Sequence, residues 1–278
     1  MNVLGKLMIV GTPIGNLGDF SPRALQALAD CDFIAAEDTR VTVKILNHFG
    51  LKKPMVSYFE HNRFEKGEQI AARITAGENC ALVTDAGMPA VSDPGEDLVN
   101  LCHKLGIKVE VIPGPCAFIS ALALSGMPAK RFTFEGFLSV NKLSRREHIQ
   151  SLLNERRTMI FYEAPHKLPS TLKDLASAFG DRKIAIVREI TKIYEEVIHT
   201  TLKEAVQKFG DGGPKGEIVL IVEGAPEPEK EEKTLEAAVE TARAKIKEGI
   251  PLNEAAKAAA KQTGYKKSDI YKALQQGE

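Results

Sequence analysis

Short apolar runs alternate with amphipathic stretches from residue 7 to about residue 112. Runs rich in β-branched residues predict strands, and their alternation with helices is typical of βαβ units in a parallel sheet. Ser21-Pro22 and Pro94-Gly95 predict the starts of two of the helices. The predicted strands are residues 7–10, 33–36, 55–58, 81–84 and 109–112.

The regular alternation of strands and helices stops at Ser125-Gly126-Met127-Pro128, which predicts a connection between two domains. A second α/β region follows, with predicted helices near residues 144–156, 166–179 and 202–209. No helix separates its third and fourth strands, so its sheet is predicted to be mixed. Its predicted strands are residues 132–137, 159–162, 184–188, 194–200 and 218–222.

Residues 225–233 are charged, contain prolines and lack large apolar groups, which predicts a solvated linker. Residues 234–278 are predicted to form short helices, the last of them capped by Ser268. Their glycine-containing turn fits helix-turn-helix geometry, and a plain three-helix tail fits equally well. The predicted domains are therefore residues 1–126, 127–224 and 234–278.

Charge and cysteine content narrow the classes of protein. The chain has 37 basic and 37 acidic residues, so any site for a polyanion must be a local patch of basic residues. The stretch 243–273 is locally basic, and it is either such a patch or a solvated helix surface. The four cysteines and six histidines lack zinc-site spacing, so we expect buried thiols and no metal. No signal peptide or membrane-spanning run is evident, which predicts a cytoplasmic protein without a membrane partner.

Four loops rich in glycine and proline follow predicted strands, at residues 11–16, 85–92, 113–117 and 163–166. Loops at the carboxyl ends of parallel strands are expected to converge on one ligand cleft. Any one of them alone is an ordinary tight turn. The chain lacks both GxGxxG and GxxxxGK[ST], and prolines remove N–H donors that a phosphate would need. The cleft therefore suits a cofactor without phosphates, such as S-adenosylmethionine.

The chain contains six recognisable motifs: VGTPIGNL at 10–17, AEDTR at 36–40, VTDAGMPAVSDPG at 83–95, VIPGPCA at 111–117, FYEAPHK at 161–167 and VREITK at 187–192. Together they resemble the tetrapyrrole methylase family, and within it the enzymes that methylate small-subunit ribosomal RNA. The resemblance implies an α/β fold of two domains, the first with a mainly parallel sheet and the second with a mixed sheet, plus a small helix-turn-helix-like unit. It also implies a homodimer and methyl transfer from S-adenosylmethionine to a cytidine ribose 2′-hydroxyl in the decoding region of small-subunit RNA or of the 30S subunit.

The resemblance also implies which residues contact the cofactor. A carboxylate at a strand end, such as Asp85, can accept hydrogen bonds from the polar end of the cofactor, although it can also cap a turn. The implied contacts are Ile14, Asp85, Met88, Pro89, Ala90, Val91, Ser92, Cys116, Ala117, Tyr162, Glu163, Val187, Gly216, Glu217 and Ile218.

Charged residues cluster after the strand at 184–188. Methylation of a ribose hydroxyl needs in-line alignment and help with loss of the proton. We predict that Lys192, with its pKa lowered by burial and neighbours, or Glu189 assists deprotonation, and that Arg188 holds a phosphate. A surface ion-pair network is the alternative.

Basic residues near the same loops are the predicted RNA contacts, namely Arg40, His61, Arg63, Arg145, Arg146 and Lys167. For each of them, an ordinary surface charge is the alternative. Two other functions remain open from sequence alone. One is an enzyme of the same fold that methylates a corrin or porphyrin precursor, or a modified histidine. The other is a non-catalytic nucleic-acid-binding protein that acts through the C-terminal helices.

Overall fold

The computed structural model describes residues 4–210, 212–227 and 234–276. These residues divide into two compact units, Met1–Ala225 and Pro226–Glu278. The boundary falls in the predicted linker, of which residues 228–233 lie outside the described residues. The first unit contains two five-stranded sheets, and the further division of this unit at residue 126 stays a prediction.

The first sheet is entirely parallel, with strand order β3-β2-β4-β1-β5. Its central strands bury both faces, as expected for a parallel sheet covered by helices on each side. Ser21 and Pro22 begin α1 as predicted, because the Ser21 hydroxyl accepts the Ala24 N–H. The strands are β1 (Lys6–Val10), β2 (Phe33–Ala36), β3 (Met55–Ser57), β4 (Cys80–Val83) and β5 (Lys108–Ile112); the helices are α1 (Pro22–Asp30), α2 (Thr39–His48), α3 (Arg63–Thr75), α4 (Gly95–Lys104) and α5 (Ala117–Ser125).

The second sheet is mixed, as predicted, with order β6-β7-β10-β8-β9. Strands β6 and β7 are parallel, and the remaining pairs are antiparallel. The strands are β6 (Phe132–Phe137), β7 (Thr158–Glu163), β8 (Lys183–Arg188), β9 (Glu196–Thr201) and β10 (Ile218–Val222); the helices are α6 (Lys142–Ser151), α7 (Leu168–Phe179) and α8 (Leu202–Phe209).

Two predicted elements in this region had wrong boundaries. The strand predicted from residue 194 begins at Glu196, because Tyr194 and Glu195 belong to the turn after β8 and Tyr194 is exposed. The helix predicted at 144–156 runs from Lys142 to Ser151. Asn141 caps its start by accepting the Leu143 N–H, and it ends where the Leu152 and Leu153 N–H groups bond carbonyls three residues back in tight turns. A capping amide thus sets the start of this helix earlier than the apolar spacing does.

Helix α5 joins the two halves of the first unit. It follows the edge strand β5, and its buried residues Ala121 and Leu122 pack on the second sheet against Ile160 and Val219. Ile14, from the loop after β1, belongs to the same apolar cluster. A loop of the first sheet is thereby fixed against the second sheet.

The second unit contains the helices α9 (Leu235–Lys247), α10 (Leu252–Thr263) and α11 (Lys267–Gln275). Small and branched side chains such as Ala242, Ala259 and Ile270 form its own core. Ser268 was predicted to cap the last helix, but it lies inside α11 and its hydroxyl donates to Asp269. None of the helices within the described ranges is long and apolar enough to cross a membrane.

Candidate functional site between the two sheets

The loops after β1, β4 and β5 contact one another directly. Thr12 and Gly87 exchange backbone hydrogen bonds of 2.9 and 3.2 Å, and the Thr12 hydroxyl donates to the Thr84 carbonyl at 3.1 Å. Gly11 and Gly114 pack so closely that a Cβ on Gly11 would lie 2.7 Å from the Gly114 Cα. Glycine is required here because two backbones touch. The predicted convergence of these loops is confirmed.

A cavity of about 390 Å³ opens where these loops meet the second sheet, and we call it the inter-sheet cavity. Seven residues predicted to contact the cofactor are absent from its lining in the part of the chain that the structure describes: Asp85, Met88, Pro89, Ala90, Cys116, Val187 and Gly216. Met88 instead joins two of the loops, since its sulfur accepts the Gly114 N–H. The predicted residues that do line it are Ile14, Val91, Ser92, Ala117, Tyr162, Glu163, Glu217 and Ile218.

Other lining residues were missed from sequence. Glu37 and Thr84 follow the neighbouring strands β2 and β4, so the rule that ligands bind at carboxyl ends could have found them. Phe137, the last residue of β6, gave no such signal because its strand lies in the second sheet. The missed residues are Glu37, Thr84, Asp93, Phe137, Ile190 and Val219, whereas Ala86, Ala164 and Pro165 lie within loops predicted to form the cleft.

Carboxylates give the first-sheet side of the cavity a negative character. Glu37 accepts hydrogen bonds from the Thr84 hydroxyl and from the Asp85 N–H. Asp93 accepts the Ala90 and Gly95 N–H groups at 2.9 and 2.8 Å, and burial raises its pKa. Burial and the nearby Glu37 charge raise the pKa of Asp85. A wall of this kind suits a ligand that carries positive charge.

The second-sheet side presents aromatic surface. Phe137 and Tyr162 lie with ring centroids 5.3 Å apart, and Phe134 packs at the edge of Tyr162 at 5.1 Å. Burial raises the pKa of Tyr162 to about 12, so its hydroxyl is a hydrogen-bond donor at neutral pH. Flat apolar surface beside a polar tip is suited to a heterocyclic ring.

Backbone strain is concentrated in two segments at the cavity. Among the described non-glycine residues, positive φ angles occur at Ala90 (65°), Ser92 (69°), Glu189 (51°) and Thr191 (67°). Such conformations cost energy and persist only where the surroundings enforce them, commonly at binding sites. The strain marks the loop after β4 and the segment after β8 as functional candidates.

Lys192 connects the segment after β8 to the first loop. Its ammonium donates to Glu189 at 2.9 Å and to Glu217 at 3.1 Å. Its alkyl chain covers Gly15, where an added Cβ would lie 2.6 Å from the Lys192 Cγ. Burial lowers the pKa of Lys192, but the two carboxylates outweigh it and raise the pKa above its ordinary value. The predicted lowering was therefore wrong, and Lys192 is an ammonium at neutral pH.

Glu189 and Arg188 are also held by protein partners. The Lys192 ammonium and the Glu217 N–H lower the pKa of Glu189. A Cβ on Gly216 would lie 2.4 Å from the Glu189 Cδ, so this glycine makes room for the carboxylate. Arg188 donates to Glu196 at 2.8 Å and to the Lys215 carbonyl. The ion-pair network exists, and the catalytic roles of these residues stay predictions.

Three of the six predicted RNA contacts lie together. Arg145, Arg146 and Lys167 line a second cavity of about 690 Å³ between α6 and α7, together with Lys142, and we call it the basic groove. The other three lie in the first-sheet half of the unit. There Arg40 pairs with Asp38 at 2.6 Å, Arg63 pairs with Glu60 and Asp97, and His61 packs against Phe59.

The cysteines are distributed through the cores. Cys31, Cys80 and Cys102 are buried and free, as predicted, whereas Cys116 is half-buried beside the cavity loops. Burial raises the pKa of each thiol. No group of three or more histidine, cysteine or acidic side chains within the described ranges could hold a metal ion.

The parallel sheet, the mixed sheet and the cavity between them are the arrangement that the resemblance to the tetrapyrrole methylases implied. The tetrapyrrole (corrin/porphyrin) methylase profile matches residues 6–206, and the chain belongs to this family. The structure of the methyltransferase CobJ is similar to the chain, with a TM-score of 0.60 and 21% identity over 80% of the chain and 95% of CobJ. Uroporphyrin-III C-methyltransferase from Thermus thermophilus, complexed with S-adenyl homocysteine, gives a TM-score of 0.55 and 17% identity over 78% of the chain and 97% of its own.

Within this family the chain groups with the proteins named ribosomal RNA small subunit methyltransferase I. The Synechocystis sp. protein of that name is 42% identical over 269 residues, which is 96% of each chain. The Halalkalibacterium halodurans protein is 45% identical over 96% of this chain and 93% of its own. The Thermotoga maritima protein is 45% identical over 221 residues, which is 80% of this chain and 99% of its own. The predicted family and fold class are confirmed.

Proposed function

We propose that this protein is an S-adenosylmethionine-dependent methyltransferase that modifies the 2′-hydroxyl of a cytidine ribose in the decoding region of small-subunit ribosomal RNA. The observation that carries the proposal is the inter-sheet cavity, where three loops of a parallel sheet meet the Tyr162–Pro165 turn. Relatives more than 40% identical over nearly the full chain are named as methyltransferases of that RNA.

The cavity suits S-adenosylmethionine by charge and shape. Its carboxylates, Glu37, Asp93 and Glu217, face a cofactor that carries a sulfonium and an ammonium group. Phe137 and Tyr162 offer aromatic surface to the adenine ring. Pro165 in the wall adds no N–H donor, so a phosphate would find little to bind there. The bound cofactor supplies an electrophilic methyl group.

We propose that Lys192 stabilises charge at the reacting ribose oxygen. As an ammonium it cannot accept the hydroxyl proton, which is lost to solvent water, but it can donate a hydrogen bond to the oxygen as negative charge develops there. Glu189 and Glu217 orient the ammonium, and Arg188 anchors the segment through Glu196. We therefore assign Lys192 to charge stabilisation, and Glu189 and Arg188 to its positioning.

The basic groove is the proposed contact for the RNA backbone. Lys142 and Arg146 are exposed along it, and Lys167 ends the turn that also walls the inter-sheet cavity. Phosphate contacts of this kind orient an RNA without reading its sequence. Arg40, His61 and Arg63 are proposed as further contacts on the first-sheet half.

The test is transfer of a labelled methyl group. The protein and labelled S-adenosylmethionine are incubated with small subunits from cells that lack this enzyme, and the labelled nucleotide and atom are mapped. The proposal predicts label on the 2′-oxygen of one cytidine in the decoding region. Label on a base, on a protein or on a tetrapyrrole precursor would contradict it.

A homodimer in the cytoplasm is also proposed. Ile193 is 94% exposed and Tyr194 is 72% exposed, directly after Lys192, which is unusual for large apolar side chains that have no partner. The cytoplasm is proposed because an enzyme that acts on ribosomal subunits works where those subunits are assembled. Light scattering of the purified protein should give twice the mass of the 278-residue chain, and a monomer at micromolar concentration would contradict the dimer.

A further inference from the structure

Two adjacent arginines of the basic groove have different surroundings. Both Arg145 and Arg146 lie on α6, and charge alone makes them equivalent RNA contacts. The Arg145 side chain is only 13% exposed, whereas Arg146 is exposed. Arg145 is therefore directed into the protein, and its contacts there decide its role.

Arg145 begins a chain of hydrogen bonds. Its Nε donates to Asp174 at 2.6 Å, and a terminal guanidinium nitrogen donates to the Thr171 hydroxyl at 2.8 Å. Thr171 is fully buried on α7, and its hydroxyl donates to Glu163 Oε2. Because an arginine can only donate, the Thr171 proton must point toward Glu163. The direction of the chain is thus fixed.

The chain ends at the wall of the inter-sheet cavity. The Glu163 side chain is buried at the end of β7, and its other oxygen, Oε1, accepts the Ala164 N–H at 2.8 Å. Ala164 and Pro165 both line the cavity. A buried carboxylate that loses a partner is costly, so the protein rearranges around it. Removal of Thr171 or Arg145 should therefore displace this turn.

We propose that Arg145 and Thr171 are positioning residues for the Ala164–Pro165 wall of the cofactor site, and that Arg146 is the arginine that contacts RNA. This inference rests on the proposed function. It revises the sequence prediction for Arg145, which from charge alone was an RNA contact. The groove and the cofactor site then share one turn, residues 163–167, that holds a wall of each.

The experiment compares S-adenosylmethionine affinity, measured by calorimetry, with the salt dependence of RNA binding. We expect Thr171→Val and Arg145→Met each to raise the Kd for the cofactor about tenfold, the usual consequence of an unpaired buried group. Thr171→Ser, which keeps the hydroxyl, should stay near wild type. Thr75→Val is the matched control, because among the residues that the structure describes its hydroxyl bonds only the Ala71 carbonyl at the end of α3.

Arg146→Met should show the opposite pattern. Its Kd for the cofactor should match that of the wild type. The slope of its RNA affinity against salt concentration should decrease by the amount expected for the loss of about one phosphate contact. Arg145→Met should leave that slope unchanged. Wild-type cofactor affinity in both Thr171→Val and Arg145→Met would overturn the inference, as would an effect of Thr171→Val that serine does not rescue. Failure of the wild-type protein to bind the cofactor would instead refute the proposed function.

Discussion

Two carboxylates determine the chemistry available to Lys192. Its ammonium bonds Glu189 and Glu217, and these contacts raise its pKa despite partial burial. The stability gained from a raised pKa is present at neutral pH and is lost only as pH rises through the folded-state value. The proposed role is therefore that of a fixed positive charge throughout the physiological range.

Replacement of Lys192 tests this role. We predict that Lys192→Met lowers kcat about 100-fold or more, the usual loss when a donor to a developing oxyanion is removed. Single-turnover rates with RNA and cofactor saturating give the measurement. Lys44→Met on the exposed face of α2 is the control. Turnover of Lys192→Met within threefold of wild type would remove Lys192 from the mechanism.

The pH profile separates an ammonium from a base. If Lys192 were a neutral base, kcat would rise with pH through a lysine pKa below the ordinary 10.5. Because the pKa of Lys192 is raised, we predict that its titration causes no rise of kcat in the neutral range. Lys192→Arg, which keeps the charge, should retain part of the activity and the wild-type profile. A rate increase in the neutral range that vanishes in Lys192→Arg would restore the base assignment.

At the scale of elements, the site depends on loops in close contact. Gly11→Ala places a Cβ 2.7 Å from both the Gly114 Cα and the Met88 sulfur, so the loops after β1 and β5 must separate. We predict loss of cofactor binding and a stability decrease of about 1–3 kcal/mol. Gly67→Ala in α3, whose Cβ meets its neighbours at 3.8 Å or more, should bind the cofactor normally. Unimpaired binding by Gly11→Ala, measured by calorimetry, would contradict this account.

The same scale shows how far sequence could go. Apolar periodicity located all ten strands of the described residues, because each buried strand needs a run of apolar residues, and the carboxyl-end rule located the cleft. The pattern could not show that the Asp85 carboxylate accepts the Asp38 N–H or that Phe137 lines the cavity, since side-chain direction depends on tertiary packing. It also could not give the sign of the Lys192 pKa shift, because Glu217 comes from a distant strand entry.

At the scale of the whole molecule, the two units can be tested as separate fragments. The first contains both sheets and the inter-sheet cavity, and the second has its own core. The Thermotoga maritima relative aligns over 99% of its length yet covers only 80% of this chain.

We predict that residues 1–225 alone bind the cofactor with wild-type affinity. The same fragment should methylate small subunits with at least part of the full rate, as measured by label transfer. Retention of RNA binding by the helices alone, together with an inactive 1–225 fragment, would favour a nucleic-acid-binding protein.

Calorimetric titration of S-adenosylmethionine is the most direct test of the central claim. Ala117, at the start of α5, lines the inter-sheet cavity, so Ala117→Phe should fill it. We predict that each wild-type chain binds one cofactor. Ala117→Phe should bind none, although its thermal unfolding temperature should match that of the wild type. Equal binding by both proteins, or no uptake by the wild type, would contradict the assignment of this cavity as the methyl-donor site.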